Sequence, residues 1–259
     1  MALTSNTDRD WNKWGKTDPY FGVFSDTKFL SANLNDDSLR EFFASGEGHV
    51  QRVYENVRAH IRSDFEPKRV LDYGCGVGRL VIPFAARAEV AVGVDVAPAM
   101  LDIARDNCEK FGAGNAQLLH VDEMDSLAPA SFGLVHSFIV FQHIPVVRGE
   151  QILRKLIRLL EAGGVGAIHF TYSSAGRRSR LGRAVSAICQ RVGPVRGLRN
   201  LTRNIPFSAP AVQMNEYSMN RIFDILLAEG CANLYVEFLD RIAAQGVMLY
   251  FQKSPDASS

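Results

Sequence analysis

Cysteine is scarce and scattered in this chain: Cys75, Cys108, Cys189 and Cys231 form no C-x-x-C pair, which argues against a zinc ribbon or a disulfide framework. No uncharged apolar run reaches the ~18 residues of a spanning helix. The first twenty residues are polar and charged, without the apolar centre of a signal peptide. A net charge of either sign is missing too, since 29 basic residues nearly cancel 28 acidic ones. No global field therefore draws the protein to nucleic acid or membrane, and any such preference must come from local clustering. No two histidines stand four apart, so the helical pairing of a metal site is lacking and no metal is expected. These absences predict a soluble, cytoplasmic protein.

What is present is enough apolar material, 47% of 259 residues, for one large domain with a core. Its organisation is an alternation of periods. "RVLDYG" reads as a short strand, "GRLVIPFAARA" has helical spacing, and "EVAVGVDV" is an apolar strand ending near Asp95. Pro98 then suits a first helical turn, and "AMLDIARDNCEK" continues as a helix that Lys110 and Gly112 close. "AQLLHV" and "GLVHSFIV" are two more strands, "GEQILRKLIRLLEAGG" a helix closed by glycines, and "VGAIHFTY" a fifth strand. After an interruption, "EYSMNRIFDILLAEG" is an amphipathic helix, followed by "ANLYVEFLD" and "QGVMLYFQK", strands spaced to pair antiparallel.

Such alternation implies an α/β fold with a mostly parallel sheet covered on both faces and a ligand at the carboxyl ends of its strands. Residues 67–254 form that domain, with a basic insertion over 173–212 and a polar tail over 255–259. Residues 1–66 are read as a cap, in which "WNKWGKTDPYFGVFSDTKF" is an aromatic-rich irregular arm and "EFFASGEGHVQRVYENVRAHIRSDF" one or two helices.

The stretch "VLDYGCGVGRL" narrows the ligand. Gly74, Gly76 and Gly78 permit a sharp turn from strand to helix. The dinucleotide fingerprint G-x-G-x-x-G would put its third glycine on Arg79, where the pattern fails. Asp72 discriminates further, because a carboxylate beside the turn repels a pyrophosphate and attracts a ligand carrying a sulfonium and an ammonium. Asp95, 23 residues on, is placed to accept hydrogen bonds from ribose hydroxyls, a role equally suited to NAD.

On these residues the sequence resembles the class I S-adenosylmethionine-dependent methyltransferases: "VLDYGCGVGRL" is similar to their first motif and "VGVDVAPAMLDIA" to their second. The resemblance implies a Rossmann-like, seven-stranded sheet with an antiparallel last strand, S-adenosylmethionine as cofactor and S-adenosylhomocysteine as product. It places Asp72, Gly74, Cys75 and Gly76 at the methionine end, Asp95 and Val96 at the ribose, and Met100 beside the adenine. From "HVDEMDSL" it assigns Asp122 to the adenine amino group, with Glu123 adjacent and Met124 stacking. "SFIVFQHIP" is similar to the segment bordering both cofactor and acceptor, which adds Phe138 and Phe141.

Methyl transfer from a sulfonium is an in-line displacement, so the protein mainly aligns donor and acceptor and deprotonates a hydroxyl acceptor where needed. His143, following a strand end and titrating near neutrality, is the first candidate for a base. His169 is the second, and with Tyr20, Arg177 and Arg178 it is a candidate acceptor contact. The stretch from Gly176 to Asn204 holds eight arginines and no acid, a basic amphipathic segment. It reads as a solvated lid, an anion-binding lid, or a surface that leans on anionic membrane lipids. Nucleic acid is disfavoured because no aromatic residues interleave those arginines. The amino-terminal aromatics resemble the arms of bacterial methyltransferases of the sugar and cell-surface polysaccharide type. That similarity implies O-methylation of a sugar, glycolipid or related small molecule, with N- or C-methylation of a metabolite, or non-catalytic cofactor binding, as the alternatives.

Overall fold

The computed structural model describes residues 7–174, 212–241 and 244–255. Its centre is one seven-stranded sheet in the order β3-β2-β1-β4-β5-β7-β6. The strands are β1 (Arg69–Tyr73), β2 (Val90–Asp95), β3 (Ala116–His120), β4 (Phe132–Ser137), β5 (Leu160–Ser174), β6 (Cys231–Arg241) and β7 (Ala244–Lys253). β1 to β5 pair in parallel, whereas β7 runs antiparallel between β5 and β6. The order reverses at β1, whose neighbours are β2 and β4, and a crevice opens at the carboxyl ends of strands at such a switch point.

Buried runs such as Val70-Leu71 and Ala91-Val92 lie between two layers of helices, and two hydrophobic clusters fill the opposite faces of the sheet. The helices are α1 (Thr7–Thr17), α2 (Pro19–Val23), α3 (Asp36–His60), α4 (Val81–Ala85), α5 (Pro98–Lys110), α6 (Val146–Leu159) and α7 (Met219–Ala228). Pro98 opens α5 and Gly112, at φ 67°, follows its end. Asn35 caps α3 reciprocally with Ser38. No helix among the described residues is long and apolar enough to cross a membrane.

Two expectations are corrected. The amino-terminal arm is not irregular: residues 11–29 contain most of α1, all of α2 and a 3₁₀ turn, Thr27–Phe29. The aromatic residues drive this, because Trp14, Phe21, Phe29 and Phe42 are buried with Val77, Ala97 and Met100 in a third cluster. Packing rather than local propensity holds these short helices. The sixth helix is also not closed by glycines. It ends at Leu159, and Gly163 and Gly164 lie inside β5, where the register with β4 shifts between Phe132 and Leu134. A Cβ at Gly164 would come within 2.9 Å of the carbonyl oxygens of Glu161 and Phe132, so the glycine lets the bulge close.

α6 is seated by one tight contact. A Cβ on Gly149 would stand 2.0 Å from the hydroxyl oxygen of Tyr217, which donates to the Ile144 carbonyl at 2.9 Å. Gly149→Ala should therefore destabilise the protein by about 1–3 kcal/mol, read as a lowered urea midpoint. Adding Tyr217→Phe should recover part of that loss, and equal midpoints for wild type and Gly149→Ala would show that the contact relaxes freely.

Candidate active site

The glycine turn after β1 is built for close approach. Gly74 and Gly76 have φ of 80° and 54°, a region that side-chain-bearing residues rarely occupy. A Cβ on Gly74 would meet Val140 at 2.3 Å, and one on Gly76 would meet Val23 at 2.5 Å. The turn is thus roofed by the post-β4 segment on one side and by α2 of the amino-terminal cap on the other.

Below this roof lies a cavity of about 370 Å³, within the range of about 300–1,000 Å³ usual for small-molecule sites. Asp72, Gly74, Cys75, Gly76, Asp95, Val96, Met100, Phe138 and His143, all singled out in the sequence, line it. Asp72 is almost wholly buried, 2% exposed. Its Oδ1 receives a hydrogen bond from His136 Nδ1 at 2.8 Å, while its Oδ2, which is also buried, has no hydrogen-bond partner among the described residues. A carboxylate oxygen left in that state at a cavity wall suits an incoming cation.

Asp95 accepts from the backbone N–H groups of Gly76 at 2.8 Å and Ala97 at 2.9 Å. Burial raises its pKa, and the hydrogen bonds from Ala97, Gly76 and Val96 oppose that rise. Burial, followed by the fields of Asp95 and Asp72, pushes the Cys75 thiol well above its ordinary range, so the sulfur is an inert wall rather than a nucleophile.

The other expected residues lie elsewhere. After β4 the chain passes through Ile139 at φ 63°, a strained conformation for a β-branched residue, of order 1–3 kcal/mol. It then makes a 3₁₀ turn, Phe141–His143. This bend leaves Phe138, Ile139 and Val140 at the cavity and turns Phe141 into the core, against Phe170 at 4.9 Å and Tyr217 at 5.9 Å. Asp122 is exposed on a 3₁₀ turn, Glu123 accepts from the His120 N–H, and Met124 is buried in the core; none of the three lines the cavity. Tyr20 of the cap donates to Asn107 of α5, and His169 is buried in β5 with its ring edge-on to Phe138 at 5.5 Å. Neither is part of the cavity wall. Arg177, Arg178 and the arginine-rich segment lie outside the described residues.

The far wall comes from the cap: Trp11, Trp14, Phe21 and Phe24, with Asp8 of α1 paired to Arg148 of α6 at 2.8 and 2.9 Å. Trp11 also touches His143, ring centroids 5.0 Å apart. His143 Nδ1 donates to the Gln213 carbonyl at 2.7 Å, which leaves Nε2 as the acceptor of the Gln142 amide at 3.0 Å. Thr171 Oγ1 in turn donates to the side-chain oxygen Oε1 of Gln142 at 2.7 Å. Sequence reasoning did not find His136, Arg79, Trp11 as a ring partner of His143, or this Gln142 contact. Arg79 is buried at the cavity beside Phe24 and Phe42.

The strand order, the antiparallel β7 and the amino-terminal helices together are those of the Rossmann-like methyltransferase fold. Residues 70–164 match the family described as methyltransferase domain. Among curated proteins it is 32% identical over 168 residues to the ubiquinone biosynthesis O-methyltransferase of Methylocella silvestris, covering 64% of this chain and 60% of that one. It is 33% identical over 84 residues to a Klebsiella pneumoniae 23S rRNA (uracil(1939)-C(5))-methyltransferase, covering 32% of this chain and 19% of that protein. The chain thus spans between about a fifth and three fifths of these relatives' lengths. Its fold matches magnesium protoporphyrin IX methyltransferase from Synechocystis, solved with S-adenosylmethionine bound, at TM-score 0.61 and 15% identity over 98% of this chain and 100% of that one.

Burial lowers the His143 pKa from 6.5 to about 4, the Gln213 carbonyl opposing it only in part. A histidine held neutral in the fold but free to protonate when unfolded contributes stability above pH 6.5 that is lost as pH falls toward 4. Between pH 7 and pH 5 the wild type should lose about 2 kcal/mol more unfolding free energy than His143→Gln. Parallel stability curves in urea titrations would contradict the neutral, buried ring.

Proposed function

We propose that the protein transfers a methyl group from S-adenosylmethionine to an oxygen of a small acceptor, a sugar, glycolipid or related molecule. One observation carries this reading: a single cavity joins the Asp72 and Asp95 carboxylates at the glycine turn to an aromatic wall with His143 beside it. Bound there, the cofactor would supply a methyl group on a positive sulfur, ready for in-line displacement.

The chain's own residues fit that group. Asp72 Oδ2 would face the cationic methionine end, and the Asp95 oxygens, which hold backbone N–H groups of Gly76 and Ala97, would use further lone pairs for ribose hydroxyls. Met100 and Val96 provide an apolar seat for the adenine. Trp11, Trp14, Phe21 and Phe24 offer flat apolar faces to an acceptor ring and exclude water. His143 Nε2 carries the ring's one lone pair, and the Gln142 amide occupies it, so His143 takes the hydroxyl proton only when Gln142 gives way.

A second reading, N-methylation, has its own support: a ring held near pKa 4 is a weak base, and a neutral amine acceptor requires none. A phosphoethanolamine N-methyltransferase 2 from Haemonchus contortus shares the fold at TM-score 0.53, 16% identity, over 72% of this chain and 49% of that one. Methyl-labelled S-adenosylmethionine incubated with fractionated cell extract decides between them. The proposal predicts label on an oxygen of a small molecule with S-adenosylhomocysteine accumulating, and a rate in His143→Ala lowered by about 10²-fold or more. Label on nitrogen, or a wild-type rate across pH in His143→Ala, would favour the second reading. Calorimetry showing NADH binding without S-adenosylhomocysteine binding would overturn both.

A further inference from the structure

From Asp72 at the cavity wall runs a chain of side chains, two of which, His136 and His49, the proposed function does not itself use. Asp72 and His136 sit opposite each other in the parallel pairing of β1 and β4, and Asp72 Oδ1 lies 2.8 Å from His136 Nδ1. His136 is fully buried, its ring packed against Phe84. Its other nitrogen, Nε2, is 3.0 Å from Nε2 of His49, which α3 brings in from the amino-terminal cap. The His49 ring lies against Phe138, centroids 4.0 Å apart, and Phe138 is itself cavity wall.

Donor and acceptor roles along this chain are determined by its first member. A carboxylate only accepts, so His136 Nδ1 carries the hydrogen; the neutral ring then presents a bare Nε2, and His49 Nε2–H fills it. Every hydrogen bond points toward Asp72. One Asp72 oxygen is consumed by this chain, and the other is buried without a hydrogen-bond partner among the described residues, in a side chain that lines the cavity.

We propose that His136, with its tautomer set by His49, is a positioning residue that holds the Asp72 carboxylate with Oδ2 turned to the cationic end of the cofactor. The inference rests on the reading of this cavity as an S-adenosylmethionine site. It identifies a buried strand residue and a cap residue as parts of cofactor selection: His136 holds the anion that separates the sulfonium and ammonium from an uncharged nucleoside. Through His49, it also links docking of α3 to the orientation of Asp72.

Titration of wild type, His136→Leu and His136→Asn with S-adenosylmethionine and with adenosine tests it. Leu fills the space without a donor, whereas the Asn amide nitrogen stands where Nδ1 was. The expected result is an S-adenosylmethionine Kd raised about tenfold in His136→Leu, an adenosine Kd changed by less than about twofold, and recovery to within about threefold of wild type in His136→Asn. Unchanged S-adenosylmethionine binding in His136→Leu, equal loss for both ligands, or no recovery in His136→Asn would overturn the proposal. A ligand-free measurement separates this inference from the cofactor reading: ring nitrogen-15 spectra should show His136 as the Nδ1–H tautomer. An Nε2–H tautomer would overturn the positioning role alone. Failure of the wild type to bind S-adenosylmethionine, with the Nδ1–H tautomer present, would overturn the cofactor reading and the proposal with it.

Discussion

A carboxylate buried at the end of a central strand is unfavourable unless something compensates its charge, and Asp72 places that constraint at the switch point of the sheet. One oxygen is compensated by His136 from the adjacent strand; the other is buried without a hydrogen-bond partner among the described residues, although Asp72 lines the cavity beneath the glycine turn. The neighbouring strand solves the same problem differently, since Asp95 is held by backbone N–H groups of the turn and of the entry to α5. Two acids with two kinds of support then face one space. A ligand bearing positive charge near one and hydroxyls near the other completes both.

The amino-terminal cap belongs to this arrangement rather than lying beside it. Val23 of α2 occupies the room that Gly76 leaves, Trp14 and Phe21 share a cluster with Val77 and Met100, and the Asp8–Arg148 pair joins α1 to α6. Tyr20 and Asn107 continue the tie, because Asn107 also donates to the Val77 carbonyl at 2.9 Å. The cap so closed makes the far wall of the cavity aromatic, and burial at that wall lowers the His143 pKa.

The central α/β pattern was legible in the sequence because its signals are local: apolar strands, a glycine turn, Pro98 at a helix start, and acids at strand ends. Asp72, Asp95 and Met100 could be placed at a cavity on that basis. His136 could not, because it stands inside an apolar strand run and its partners, Asp72 and His49, are 64 and 87 residues away. Phe141 lies in the core because of the positive φ at Ile139 and the turn that follows, which no composition signal marks. The Asp122 segment lies outside the cavity wall because its 3₁₀ turn carries Asp122 into solvent and Met124 into the core. The cap helices were hidden for a related reason: tertiary burial of aromatics, not helix propensity, makes them.

The central claim is that Asp72 selects a cationic methyl donor, and one comparison addresses it most directly: calorimetric titration of Asp72→Asn with S-adenosylmethionine and with adenosine, against wild type. Asn keeps the size of the side chain and its acceptor toward His136 but removes the charge. The account predicts that affinity for S-adenosylmethionine falls about 10- to 100-fold while adenosine binding is nearly unchanged. Equal affinity for S-adenosylmethionine in the two proteins, or tighter binding to Asp72→Asn, would contradict it.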